Sequence, residues 1–261
     1  GVVISPILVC ESGRSRFQEI ESLFRSSGYP SRMLDDNMAD LAAQSACNHY
    51  GVTALRALAR ASSCEVVLRN MTELCHHAAE VMRSKLLPLT GRRWQGEDVL
   101  DDGTRIQVLL RCSEEGLQVD FSGSGPVHDG NLNATEAIVR SAVLYVLRAW
   151  VGDHLPLNEG LLDDVHIKTP EGILSPVFPE DPAVCPAVVG GNVETSQRIV
   201  DVLLDALDLQ ANSQGTMNNF LFGNAAFAYY ETIGGGSGAG PGWVWSRAWV
   251  VWVERHTRAY E

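Results

Sequence analysis

Three stretches of this sequence hold more amide, hydroxyl and glycine than a connector needs. The first is Asp120-Phe121-Ser122-Gly123-Ser124-Gly125, followed closely by Asn131 and Asn133. The second is Gly190-Gly191-Asn192-Val193-Glu194-Thr195-Ser196-Gln197-Arg198. The third is Ser213-Gln214-Gly215-Thr216-Met217-Asn218-Asn219, with Tyr229-Tyr230-Glu231 and a glycine loop at 234–242 after it.

The second stretch has a specific physics. Two glycines lead into a helix whose first turn offers backbone N–H groups without intrahelical partners. Such a turn is a natural seat for a carboxylate or phosphate oxygen. Asn192 or Thr195 is placed to cap it, and Arg198 is placed to hold an anion bidentately. A tightly turned strand–helix junction needs the same residues, so both readings stand. A nucleotide P-loop is not among them, because no G-x-x-x-x-G-K-[ST] occurs. In the third stretch, Asn218 and Asn219 suit polarising a carbonyl or holding a water. Glu231 suits general base catalysis if buried, and a solvated strand end otherwise. Glycines such as Gly235 and Gly236 admit close backbone approach to a ligand. Ser213 lacks both a nearby histidine and a G-x-S-x-G elbow, so it is not read as a nucleophile. No histidine–carboxylate cluster has metal spacing. Asp164 and His166 share a strand face at most, and His49, His76 and His77 read as helix surface or packing residues.

The elements that must position these groups are legible in outline. Apolar residues at helical spacing predict helices over 38–50, 52–61 and 65–86, with Gly51 separating the first two and Asn70 or Thr72 as further breaks. From Trp94 the texture changes. Asp101-Asp102-Gly103 is a turn signal, and 105–111 with 117–121 flank Glu114-Glu115-Gly116 as a β-hairpin. Thr135 opens a helix to about Trp150, 165–169 is a strand, and 193–207 is a second strong helix with Ile199, Val202, Leu203 and Ala206 on one stripe. Residues 218–233 read as two strands joined at Gly223-Asn224. The expectation is an α/β or α+β chain: a helical segment over 1–95, a core of mixed sheet, helices and glycine-rich loops over 96–242, and an atypical tail over 243–261.

Bulk properties narrow the class. The 261 residues suffice for one large domain or two small ones. The hydrophobic fraction is 45%, the charged fraction 20% and the mean hydropathy −0.02, which argue against disorder and against a membrane protein. A net charge of −12 disfavours nucleic acid as a partner. The six cysteines form no C-x-x-C pair, which fits reduced thiols and a cytoplasmic location. No apolar run is long enough for a membrane span.

Several motifs in order then carry a resemblance. VDFSGSGP, LPLNEGLL, TPEGILSPVFPEDPA, GGNVETSQRIVD, SQGTMNN and YYETIGGGSGAGPG resemble signature stretches of the hydantoinase B / 5-oxoprolinase family. The likeness runs from Gly1 to Gly242 and is strongest from Val119 onward. It implies ATP-dependent hydrolysis of a cyclic amide, in which an ATP-binding, hydantoinase A-like half or subunit phosphorylates the amide oxygen and the B half opens the ring. The oxoprolinase branch is favoured by FPEDPAVCPAVVGGN, with 5-oxo-L-proline as the small-molecule substrate and L-glutamate as the product. Hydantoin-opening enzymes and the acetone carboxylase subunit are the alternatives within the family. The implied roles are Arg198 and the backbones of Gly190, Gly191, Gly235 and Gly236 for substrate oxygen or phosphate, Asn192, Glu194, Asn218 and Asn219 for binding and orientation, and Glu231 for water activation. ATP binds the partner half, any divalent metal lies outside this chain, and an oligomer is expected.

Two departures qualify that picture. The family's N-D-P-x-x-G-G-x-H-x-x-D stretch has no counterpart here. After Gly242 the family's H-M-T-N-T-R segment is replaced by a tail holding four of the six tryptophans, a texture like that of a shifted reading frame. A non-catalytic fragment or a module that docks on a partner is therefore the competing expectation, together with poor solubility.

Overall fold

The computed structural model describes residues 2, 4, 6–28, 30–31, 33–152, 155, 157–212, 215, 219–224, 227–233 and 238–240. The chain divides into two compact units, one formed by 1–74 with 178–185 and the other by 75–177 with 186–261.

The first unit is mainly helical. A short hairpin, β1 (Cys10–Glu11) and β2 (Arg14–Ser15), turns through Ser12 and Gly13, both at positive φ. It leads into α1 (Phe17–Ser26), which buries Ile20. The next element, α2 (Leu34–Ala61), has no buried residue along its 28 positions. It passes unbroken through Gly51, where two helices are expected. A single interior glycine costs a helix roughly 1 kcal/mol, which a long helix can absorb. A third helix, α3 (Cys64–Leu86), begins in this unit and ends in the second. Neither Asn70 nor Thr72 breaks it, because the Thr72 hydroxyl donates back to the Leu68 carbonyl within the helix.

The second unit is built on a four-stranded mixed sheet, β3 (Arg93–Val99), β4 (Arg105–Ser113), β5 (Gly116–Asp120) and β6 (Val165–Lys168), in that spatial order. The first three strands are antiparallel, and β6 runs parallel to β5. Between β5 and β6 the chain passes through α4 (Glu136–Val151), as a parallel pair requires. Strand alternation sorts the two faces. Ile106, Val108, Leu110 and Cys112 of β4 and Leu117 and Val119 of β5 are buried, while Gln107, Leu109, Arg111, Gln118 and Asp120 point to the other face. On the buried face lie the end of α3, the Val139-Ala142-Val143-Val146-Leu147 stripe of α4, and α5 (Thr195–Ala206) through Ile199, Val202, Leu203 and Ala206. Each large apolar side chain so buried is worth about 1.5–3 kcal/mol. The α/β expectation is met, with a mixed sheet and packed helices following a helical first third in the sequence. The last strands, β7 (Asn219–Asn224) and β8 (Phe227–Thr232), pair antiparallel, so Gly223 and Asn224 lie within β7 and not in the connection.

Candidate functional site

Segment one folds back over the sheet. The Ser124 hydroxyl donates to the Gln107 carbonyl and accepts from the Gln107 N–H, and the Gly125 N–H donates to the Arg105 carbonyl. Gly123 lies so close to the Gln107 side chain that a Cβ would sit 1.6 Å from its Oε1. Asp120 accepts from the Ser122 N–H at 2.9 Å and faces Lys168 Nζ at 3.3 Å. Burial opposes its ionisation, but the Ser122 and Lys168 contacts outweigh burial and hold the carboxyl below the usual aspartate range. Gln95, Gln107, Leu109, Asp120, Ser122 and Gly123 line a shallow pocket of about 130 Å³ on this face.

Beyond this loop the chain is fastened by Asn133, which is fully buried. Its Oδ1 accepts from the His128 N–H at 2.7 Å, and its Nδ2 donates to the carbonyls of His128, Gly130 and Ala187. His128 Nε2 lies 2.7 Å from Asp102 Oδ2, while its Nδ1 accepts from the Gly130 N–H at 2.8 Å. That geometry selects the Nε2–H tautomer and engages both ring nitrogens, so the pair latches the loop and leaves no nitrogen for proton transfer. Hydrogen bonds from Thr104, with a smaller share from His128, lower the Asp102 pKa.

Segment two packs directly on this latch. The Gly190 N–H donates to the Asn131 carbonyl at 2.8 Å, and a Cβ on Gly191 would stand 2.1 Å from the Asn133 carbonyl oxygen. The Thr195 hydroxyl donates to the Leu132 carbonyl. The first residue of α5 is Thr195, Glu194 holds the capping position without a side-chain cap bond, and Ser196 bonds the Asn192 carbonyl. The N–H groups of Val193 and Glu194 both reach the Gly190 carbonyl. The N–H groups of Gly190, Gly191, Val193 and Glu194, which lead into the helix, are thus engaged inside the junction.

One turn into α5, Arg198 enters an ion cluster. Gly96 of β3 lies against α5, where a Cβ would be 2.4 Å from the Val202 carbonyl oxygen. Two residues along a strand rise about 6.6 Å, and four along a helix about 6 Å. The same close approach therefore brings Asp98 to Arg198, with Oδ2 and Nη1 2.5 Å apart. Asp201, one turn further, is buried beside them, and Gly215 of segment three closes the cluster. A Cβ there would lie 3.3 Å from Asp201 Oδ2 and 3.4 Å from Arg198 Nη2. An incoming anion would have to compete with Asp98 for the guanidinium.

These contacts bring together Gly190, Gly191, Arg198 and Gly215 with Asn131 and Asn133. Glu231 lies on β8, half-buried, and accepts a hydrogen bond from the Tyr229 hydroxyl. Asn219 begins β7 opposite Thr232, and its side chain lies outside the description. Asn218, Gly235 and Gly236 lie outside the described residues. Asp98, Asp201, Asp102 and His128 were not expected from sequence as parts of the site. For Asp201 a signal existed: an acid on the apolar stripe of 199, 202, 203 and 206, three residues after an arginine. Among the described residues no group of three or more His, Cys, Asp or Glu side chains is arranged to hold a metal ion. No described helix is long and apolar enough to cross a membrane.

Comparison with known proteins agrees with this architecture. The Hydantoinase B/oxoprolinase family pattern matches residues 1–258. The chain is 39% identical to 5-oxoprolinase of Saccharomyces cerevisiae over 92% of its own length and 20% of that protein's. It is 38% identical to 5-oxoprolinase 1 of Arabidopsis thaliana over 93% of its own length and 21% of the relative's. It therefore spans about a fifth of the length of these relatives. Among solved structures, the ATP-dependent caprolactamase from Pseudomonas jessenii superposes with a TM-score of 0.71 at 19% identity, covering 93% of this chain and 44% of that one. A nucleotide-free acetone carboxylase superposes at 0.61 with 14% identity, covering 88% of this chain and 34% of that one. The match over residues 1–258 makes this chain a member of the hydantoinase B/oxoprolinase family.

Proposed function

We propose that this chain is the ring-opening portion of an ATP-dependent cyclic-amide hydrolase, with 5-oxo-L-proline as substrate. The observation carrying this reading is the 38–39% identity to proteins named 5-oxoprolinase over 92–93% of the chain. The convergence of Asn131 and Asn133, the GGN junction and Gly215 supports it, because the junction and Gly215 lie in stretches on which the resemblance rests. In the proposed reaction the amide oxygen takes the γ-phosphoryl group of ATP and ADP leaves; one water adds to the activated ring carbon and the C–N bond breaks, and a second water cleaves the resulting acyl phosphate, giving L-glutamate, ADP and phosphate. The described residues provide neither a P-loop nor a metal cluster, so the nucleotide is assigned to a hydantoinase A-like partner half and no step here is routed through a metal. Glu231 is proposed to activate the ring-opening water, and Asn218 and Asn219 to orient the ring. Asn192, Glu194, Gly235 and Gly236 are proposed to line its approach. An oligomer in the cytoplasm is the proposed setting.

A second reading, a module that docks on a partner without catalysing, is favoured by one observation: α2 buries none of its residues. The test is ADP release by this chain combined with an ATP-binding half, with 5-oxo-L-proline, a hydantoin, caprolactam or acetone plus bicarbonate supplied in turn. Release with 5-oxo-L-proline and matching glutamate supports the proposal. Release with acetone alone assigns a carboxylase-type role, and no release with any of them assigns the docking role. In the active combination, Glu231→Gln is expected to lower turnover by about 10²-fold or more, and unchanged turnover removes Glu231 from the water-activating role.

A further inference from the structure

Asp201 is 6% exposed, and its Oδ2 has no hydrogen-bond partner. The same holds for Arg198 Nε beside it. Buried polar atoms without partners are costly, and they persist where some other contact over-determines the geometry. Here that contact is Gly215, which is buried, has φ +63° and brings its Cα against both side chains. A side chain at Gly215 would be strained by the backbone angle and crowded by Asp201 and Arg198 at once.

We propose that Asp98, Arg198 and Asp201 form a seat that fixes Gly215, so that Arg198 and Asp201 act as positioning residues and not as a clamp for an external anion. The inference is independent of which substrate the enzyme takes. Its charge logic is simple. Two carboxylates share one guanidinium, so full ionisation would leave a net negative charge in a buried place. Burial pushes the Asp201 carboxyl up from the usual aspartate range, Asp98 pushes the same way, and Arg198 opposes both. Among the described residues no other charged group shifts it. The neighbouring short helix, 189–192, carries none, and β4 turns Ile106, Val108 and Leu110 toward the helices. The charged residues of α4 are engaged elsewhere: Glu136 with Ser175, Arg140 with Glu159, Arg148 with the Leu155 carbonyl. A carboxyl whose folded-state pKa is raised leaves stability intact below its unfolded value and removes it as pH climbs to the folded value. The seat is therefore firm at low pH and loosens upward through that window.

Hydrogen–deuterium exchange on the 261-residue chain tests this without any assay of turnover, so its failure would leave the substrate proposal standing. In the wild type, exchange of a peptide ending at Gly215, corrected for intrinsic rate, is expected to quicken with rising pH. Asp201→Asn, which mimics the neutral carboxyl, should exchange as slowly as the wild type at low pH and stay slow as pH rises. Asp201→Leu should exchange roughly tenfold faster at low pH. Should the leucine variant not fold, Gly215→Ala is expected to speed the same peptide while leaving β4 unchanged. Asparagine behaving like leucine, a pH dependence that survives in Asp201→Asn, or no effect of Gly215→Ala would each overturn the proposal.

Discussion

At the scale of single residues, the two glycines before α5 show how one signature serves more than one purpose. Glycine at 190 and 191 is readable in the sequence as a demand for close approach, but not the identity of what approaches. The partner is the backbone at 131–134, nearly sixty positions away in the chain. Gly191→Ala is expected to destabilise the second unit by about 1–3 kcal/mol, because backbone atoms and not a pliable side chain block the new methyl. Chemical denaturation with an otherwise identical chain measures it, and a change below about 0.5 kcal/mol would contradict the packing account. Arg198 illustrates the same limit. Its charge and position were legible, but Asp98 lies 100 residues away and no local pattern announces it.

Among the elements, those set by local rules were read well. The Asp101-Asp102-Gly103 turn, the β4–β5 hairpin, α4 and α5 with its apolar stripe all lie within a few residues of expectation. β3 was missed because Gln95, Gly96, Glu97 and Asp98 weaken its apolar alternation, and its strand character comes from pairing with β4. Gly51 suggests a break by its local propensity, where the structure has continuous helix. Apart from its chain neighbours and the helix's own backbone, no described atom lies within 4 Å of a Cβ placed there. Gly51→Ala should therefore stabilise α2 by about 0.5–1 kcal/mol, seen as later loss of helical circular dichroism. An earlier loss would mean that the glycine serves a contact or a bend.

For the whole molecule, the uneven distribution of burial matters most. The second unit holds nearly all of the core, while α2 shows Tyr50 at 76%, Leu55 at 45% and Leu58 at 56% exposure. Such a surface predicts binding of a hydrophobic dye and concentration-dependent association. Leu55→Glu combined with Leu58→Glu should reduce both without shifting the melting of the sheet unit, and unchanged dye binding would place the sticky surface elsewhere. The mixed sheet also has a temporal consequence. β3, β4 and β5 can zip together as successive hairpins, but β6 reaches β5 only after a long loop closes, since Lys168 stands 48 residues beyond Asp120. For that interval during synthesis, the edge of 116–120 is a row of bare amide and carbonyl groups. A nascent chain meeting another at this stage can complete its sheet with the wrong molecule, which makes β5 the point where chaperone protection would count most.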